Sequence, residues 1–174
     1  RQRHLTIPCE MCIRDRDIEL CGVSDLTPIV TMPSLQRLSL YGNAIADYSP
    51  VSRKTKITYL TIAADSIKDL EFLRPLVNMD SIHIGPTKAV SIEPFRGMRK
   101  LRYIAINGNS VPDLTPLQNL PSLSELELSD CVLQDVSPLA GIKSLRKLFL
   151  KGSQVSDLSP LNALIPQLTE CDFQ

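Results

Sequence analysis

Apolar residues recur along this chain in a fixed phrase, L-x-x-L-x-L. It begins at Leu35, Ile57, Met79, Leu101, Leu123 and Leu145, every 22 residues and without insertion. A second phrase runs in phase with it, at Asp25-Leu-Thr-Pro-Ile, Asp47-Tyr-Ser-Pro-Val, Asp69-Leu-Glu-Phe-Leu, Ser91-Ile-Glu-Pro-Phe, Asp113-Leu-Thr-Pro-Leu, Asp135-Val-Ser-Pro-Leu and Asp157-Leu-Ser-Pro-Leu. With each phrase start taken as position 0, positions 0, 3, 5, 10, 13 and 16 are apolar in all six coils, 36 places out of 36. The chain is 43% hydrophobic, so unpatterned sequence would leave about half of those places polar. One continuous core explains the regularity.

The pattern also fixes the elements of a coil. L-x-L alternation predicts a short strand with one apolar face. The Ser/Thr-Pro pair after it predicts a helix start, with the hydroxyl capping free amides and Pro at the first helical position. Inward residues three apart, such as Leu117 and Leu120, predict a 3₁₀ or single-turn helix. Neither element buries its apolar side alone, so the coils must stack with their strands parallel, about 4.8 Å apart. About eight coils predict a sheet some 35–40 Å long. Position 8 holds Asn43, Asp65, Thr87, Asn109, Cys131 and Ser153, with Cys21 in the coil before. Small residues able to hydrogen-bond are expected there to form a buried ladder where the backbone bends.

Composition narrows the picture little. The 174 residues suit one domain with a sizeable core. Nineteen Lys+Arg balance nineteen Asp+Glu, which argues against nucleic acid or an anionic membrane as the main partner. No apolar run approaches a membrane span. The five cysteines are odd in number and suggest no disulfide framework. Cys9 and Cys12 have metal spacing but no second pair, so no metal or other cofactor is expected. The first residue is Arg1, and the chain is expected to be a fragment of a longer one. Met11-Cys-Ile-Arg-Asp-Arg16 resembles translated adapter sequence. Residues 1–12 are therefore set apart as an irregular or artefactual segment, and 13–174 as the solenoid. Extending the repeat backwards places Ile13, Arg16, Ile18, Cys21 and Val23 in the first coil, with Arg16 directed into the core.

The run L-x-x-L-x-L-x-x-N-x-I-x-D-x-[ST]-P-L, nearly complete from Leu101 to Leu117, resembles the leucine-rich-repeat family. Within it, the match is to the 22-residue internalin-like class of bacterial surface proteins. The resemblance implies an α/β solenoid with a parallel concave sheet and short 3₁₀ or helical turns on the convex side. It also implies a protein, or alternatively a glycan, bound on that sheet, and a secreted or cell-surface location. The cytosolic phosphatase-regulator class also has 22-residue repeats, and would imply an intracellular regulatory scaffold. Departures fall in the early coils: Glu71-Phe72 and Glu93 break the Ser/Thr-Pro phrase, and Lys54 takes position 19, elsewhere apolar. At the far end, Leu168, Cys171 and Phe173 begin another coil one residue late.

Positions 2, 4 and 6 alternate away from the core and face outward on the sheet. They supply the candidate binding residues Arg37, Tyr41, Tyr59, His83 and Tyr103, then Glu125, Glu127, Lys147, Phe149 and Lys151. Exposed aromatics anchor interfaces, although tyrosine also suits any half-exposed strand. The charges alternate coil by coil, and neighbouring strands could pair them. Catalysis is not expected: His83 stands beside Ser81 and Gly85 with no acid at its level, and no phosphate loop is present. The expected function is a non-enzymatic binding scaffold. A rigid spacer is the rival reading, and self-association through open coil ends a third.

Overall fold

The computed structural model describes residues 14–173. Residues 1–13 and 174, with the Cys9/Cys12 pair and Ile13, lie outside the described residues. Eight strands form a single parallel sheet in chain order. They are β1 (Asp15–Asp17), β2 (Arg37–Ser39), β3 (Tyr59–Ala64), β4 (Ser81–Thr87), β5 (Tyr103–Ile106), β6 (Glu125–Glu127), β7 (Lys147–Phe149) and β8 (Glu170–Asp172). The register advances one repeat per strand, so Arg37 pairs with Tyr59, and Tyr59 with Ser81. The last step is one residue longer, Lys147 to Glu170, and a second 3₁₀ turn at Ile165–Gln167 takes up the extra residue.

Each coil returns through the short turn that the spacing predicts. Six are 3₁₀ turns, at Thr27–Thr31, Glu71–Leu73, Glu93–Gly97, Thr115–Leu117, Ser137–Gly141 and Ser159–Ala163. The seventh is a one-turn helix, α1 (Ser49–Ser52). Their capping differs from expectation. The Ser or Thr is the first residue of the turn, and the acceptor is the Asp two places earlier. Its Oδ1 takes the backbone N–H at 2.8 Å in Asp25, Asp47, Asp113, Asp135 and Asp157, and at 3.0 Å in Asp69. A carboxylate two residues upstream closes an Asx turn on that amide, which leaves the hydroxyl free to donate to the same Asp, as Ser137 does to Asp135 at 2.6 Å. These bonds hold the carboxyls of Asp25, Asp113, Asp135 and Asp157 below their ordinary value.

The six repeated apolar positions are buried in every coil except at Val155 and Leu158, in the last full coil. Arg16 takes the core register place opposite Leu38 and is half-buried, its Nε without a partner among the described residues. Lys54 is only 7% exposed and donates to the carbonyls of Val30 at 2.8 Å and Met32 at 3.0 Å. Burial pulls its pKa down. In the same coil Tyr48 stacks on Phe72, ring centroids 5.3 Å apart, with its hydroxyl buried and unpartnered among the described residues.

Most of the position 8 ladder forms. Asn109 Nδ2 donates to Gly85 and Asn107 carbonyls at 3.0 and 2.8 Å, while its Oδ1 accepts from Thr87 N at 2.9 Å. Asn43 does the same for Ile18, Leu40 and Val23. Cys131 Sγ donates to Ile106 O at 2.8 Å, and its backbone N–H is accepted by Ser153 Oγ at 2.9 Å. Burial pushes the Cys131 thiol up, which makes it a poor nucleophile. Two members depart from expectation. Asp65 is exposed, because a carboxylate has no proton for the preceding coil's carbonyls and because the β3–β4 register slips there, Ala64 pairing with Thr87. Cys21 is also exposed and donates to Glu19 O at 3.2 Å. Rungs reach back to the coil before, and for Cys21 no such coil lies among the described residues.

The bend after five of the strands uses a left-handed residue. Gly42, Gly108 and Gly152 supply it at φ 71°, 69° and 70°, and Leu20 and Asp130 fill the same place at φ 51° and 56°. In the longer strands β3 and β4, Ala64 and Pro86 take that place without a left-handed turn.

Candidate functional site

Strand alternation puts positions 2, 4 and 6 on the open face of the sheet, and strict register aligns them in rows across the strands. The first row reads Asp15, Arg37, Tyr59, Ser81, Tyr103, Glu125, Lys147, Glu170. The second reads Asp17, Ser39, Thr61, His83, Ala105, Glu127, Phe149, Asp172. Side chains in a row are one strand spacing apart, so these rows are the site's geometry.

The middle of the face, β3 to β5, carries no Asp, Glu, Lys or Arg at these positions. Tyr59 and Tyr103 stand two strands apart with Ser81 between them, and His83 lies between Thr61 and Ala105. The third position of this region is small: Ala63 and Gly85. A side chain at Gly85 would meet Ala63 Cβ at 2.6 Å and Tyr41 Cε2 at 3.5 Å, so Tyr41 leans over Ala63 toward Gly85 while staying 44% exposed. Tyr41, Tyr59, His83 and Tyr103 therefore form one patch on the face of the four adjacent coils that carry β2 to β5.

Each end of the patch is set by a specific contact. Arg37 lies over the Tyr59 ring, its guanidinium carbon 4.1 Å from the centroid, a cation–π contact. Thr61 Oγ1 donates to the Tyr59 phenol oxygen at 3.1 Å. Tyr103 donates to Glu127 at 3.3 Å. Burial, with the negative charge of Glu127 beside it, pushes the Tyr103 phenol up to about 12. Asn107 holds Glu127 from the other side at 2.9 Å and accepts the Ser129 amide at 3.1 Å. Residue-by-residue reading overlooked Asn107, because its role depends on the strand that follows it.

The remaining candidates lie apart from the patch. Glu125 and Glu127 on β6 separate it from Phe149 on β7. Lys147 sits between Glu125, at 3.8 Å, and Glu170, at 3.1 Å, as cross-strand charge alternation suggests. All three side chains are a third or more exposed, so the pairs add little stability. Lys151 is exposed beyond them. At the other end a hollow of about 280 Å³ is lined by Asp15, Asp17, Glu19, Arg37, Ser39 and Tyr59. Among the described residues no group of three His, Cys, Asp or Glu is placed to hold a metal, and no helix is long and apolar enough to cross a membrane.

One parallel sheet in chain order, short return turns closed by Asp side chains and a mostly buried hydrogen-bonded ladder at position 8 define a leucine-rich-repeat solenoid. No family model and no curated protein matches the chain. Solved structures do. The chain is similar to internalin C2 of Listeria monocytogenes, 33% identical, with TM-score 0.77 over 86% of this chain and 66% of that one. It is similar to an internalin, InlF, of the same organism at 26% identity, with TM-score 0.67 over 88% of this chain and 52% of that one. A leucine-rich-repeat protein of Leptospira interrogans shares the fold at 19% identity, with TM-score 0.69 over 83% of this chain and 38% of that one. The chain belongs to the internalin-like leucine-rich-repeat family. It spans less than two thirds of the length of these relatives.

Proposed function

We propose that this chain is a non-enzymatic scaffold that binds a protein ligand on the open face of its sheet. The patch of Tyr41, Tyr59, His83 and Tyr103 is its anchor. The observation that carries the reading is the uncharged middle of the face, where Tyr59 and Tyr103 stand two strands apart with His83 beside them and Tyr41 leans over Ala63. Large rings on an uncharged face offer contact area at low cost in side-chain entropy. The charged residues to either side, Arg37 and Glu125 to Lys151, act as a polar rim that sets orientation more than affinity. A rigid spacer would have no use for such a face. The internalin relatives support a secreted or cell-surface setting in a bacterium.

The test is selection of binders from a displayed library of peptides and small domains, with each binder measured against Tyr59→Ala/Tyr103→Ala. We expect most binders to lose at least about 100-fold in affinity, since two anchors cost roughly 3 kcal/mol or more together. Binders indifferent to the double variant would move the function off this face. Protease shaving of intact source cells tests the setting: a chain protected until lysis favours the intracellular scaffold.

A further inference from the structure

The chain's zero net charge conceals a sharp segregation. Position 7 to position 15 of the coils forms one flank of the solenoid, and position 16 to the start of the next strand forms the other. Among the described residues the first flank holds Asp25, Asp47, Asp65, Asp69, Glu71, Glu93, Asp113, Asp130, Asp135 and Asp157 against Lys68 and Lys88. The second holds Arg14, Arg53, Lys54, Lys56, Arg74, Arg96, Arg99, Lys100, Arg102, Lys143 and Arg146 against Asp80. Lys54 is buried; the others face solvent.

The basic flank has a groove. A hollow of about 660 Å³ runs between Arg96 and Arg99 on one side and Lys143 on the other, and no carboxylate lines it. Its floor is open because Gly97 and Gly141 have no side chain, and a Cβ added at either would meet nothing within 4 Å. Gln118 and Asn119 lie between the two cationic walls. Arg96 is held by Glu93 at 2.6 Å and Arg102 by Asp80 at 2.5 Å. Among the described residues, no hydrogen bond or ion pair engages the side-chain cations of Arg53, Lys56, Arg99 or Lys143. Arg146 Nη1 donates to the Lys143 and Leu145 carbonyls, and among the described residues the side chain meets no carboxylate.

We propose that this flank is a second binding surface, for an extended phosphate-bearing polymer laid along the groove. The walls stand two coils apart, about 10 Å, so successive phosphates of one chain can engage both walls at once. Arg presents a fork that pairs phosphate oxygens, and the amides of Gln118 and Asn119 donate to phosphates that pass between the walls. The only aromatic ring in these segments, Phe95, is buried, so the flank offers no platform on which nucleic-acid bases could stack. The sheet face and the flank are separate surfaces, and this inference does not depend on the tyrosine patch.

Binding of long-chain inorganic polyphosphate to the 174-residue chain is the test, read by calorimetry at several salt concentrations, with orthophosphate and a single-stranded DNA of equal charge alongside. Arg99→Gln/Lys143→Gln is compared with Arg37→Gln/Lys151→Gln, which removes the same charge from the sheet face. Polyphosphate affinity is expected to fall steeply with salt, to drop about tenfold in the flank variant, and to change less than about twofold in the sheet variant. Orthophosphate is expected not to bind. Equal losses in the two variants, or DNA binding tighter than polyphosphate, would overturn the proposal. So would self-association in low salt, seen by sedimentation without any probe and abolished by the flank variant. That result would make the acidic flank of a second copy the occupant.

Discussion

The coil from Leu101 to Ser122 returns through a 3₁₀ turn and the coil from Leu35 to Lys56 through α1, yet both stack in the same register and fill their interiors differently. The later coil places Leu114 and Leu120 at positions 13 and 19, both buried. The earlier coil places Tyr48 and Lys54 there, also buried. The difference shows what the interior of a stacked coil demands. It buries the side chain at both positions, and it accepts a polar end there. The Lys54 ammonium finds two carbonyls of the coil before, Val30 and Met32. The Tyr48 hydroxyl finds none among the described residues.

The largest effect should come from breaking the regular coil. Leu120→Ala removes a side chain that is 2% exposed and leaves a void between neighbours fixed by their own coils. We expect a loss of about 3 kcal/mol in urea unfolding, within the 2–5 kcal/mol range of such truncations. Asn109→Ala comes next. It strips the Gly85 and Asn107 carbonyls and the Thr87 amide of their partner. A loss of about 2 kcal/mol is expected, since groups left buried and unpaired cost roughly 1–3 kcal/mol. A loss under 0.5 kcal/mol at Asn109, on the order of a neutral surface change, would mean that water replaces the ladder. Tyr48→Phe works in the other direction. It keeps the stacking on Phe72 and removes the unpartnered hydroxyl, so stability should rise by about 1 kcal/mol. A fall would show that the hydroxyl has a partner after all.

The regular coil was almost wholly legible in the sequence, because a 22-residue period repeats each constraint six times. Core positions, strand phase, 3₁₀ turns and the late last strand all follow from it. What escaped depends on contacts between coils that a single repeat does not show. The sequence assigned the cap to the Ser or Thr hydroxyl, and only the Asx geometry reveals that the carboxylate of Asp135 and its equivalents holds the amide. Cys21 and Asp65 matched the ladder position by size, but a rung also needs a proton to give and a coil behind it. The face residues could be named from alternation alone. The hold of Asn107 on Glu127, and the lean of Tyr41 toward Gly85, required the register. Charge was the least legible feature: counted over the chain it cancels, and only the division of each coil into two flanks separates its signs.

The smallest effect at neutral pH should come from Lys54→Met, and it sharpens the comparison most. Methionine restores an apolar residue at position 19 of nearly the same length and removes a charge that folding must take out of water. The ammonium's two hydrogen bonds offset much of that penalty, so the variant should lie within about 1 kcal/mol of the parent at pH 7. The pH dependence separates the terms. Burial lowers the folded pKa of Lys54 below its ordinary 10.5, so the unfolded chain binds more protons in the window between the two values. Stability of the parent, relative to Lys54→Met, must therefore rise as pH climbs through that window. The neutral amine keeps protons to donate to Val30 and Met32, so the gain is not cancelled by loss of those bonds. Unfolding both proteins in urea at a series of pH values from 7 to about 10.5 gives the difference directly, with every other titration common to both. A difference that stays flat across the series would mean that Lys54 keeps its charge at no cost. Water would then reach its ammonium, and the two coils would be alike in their hydration rather than in their dryness.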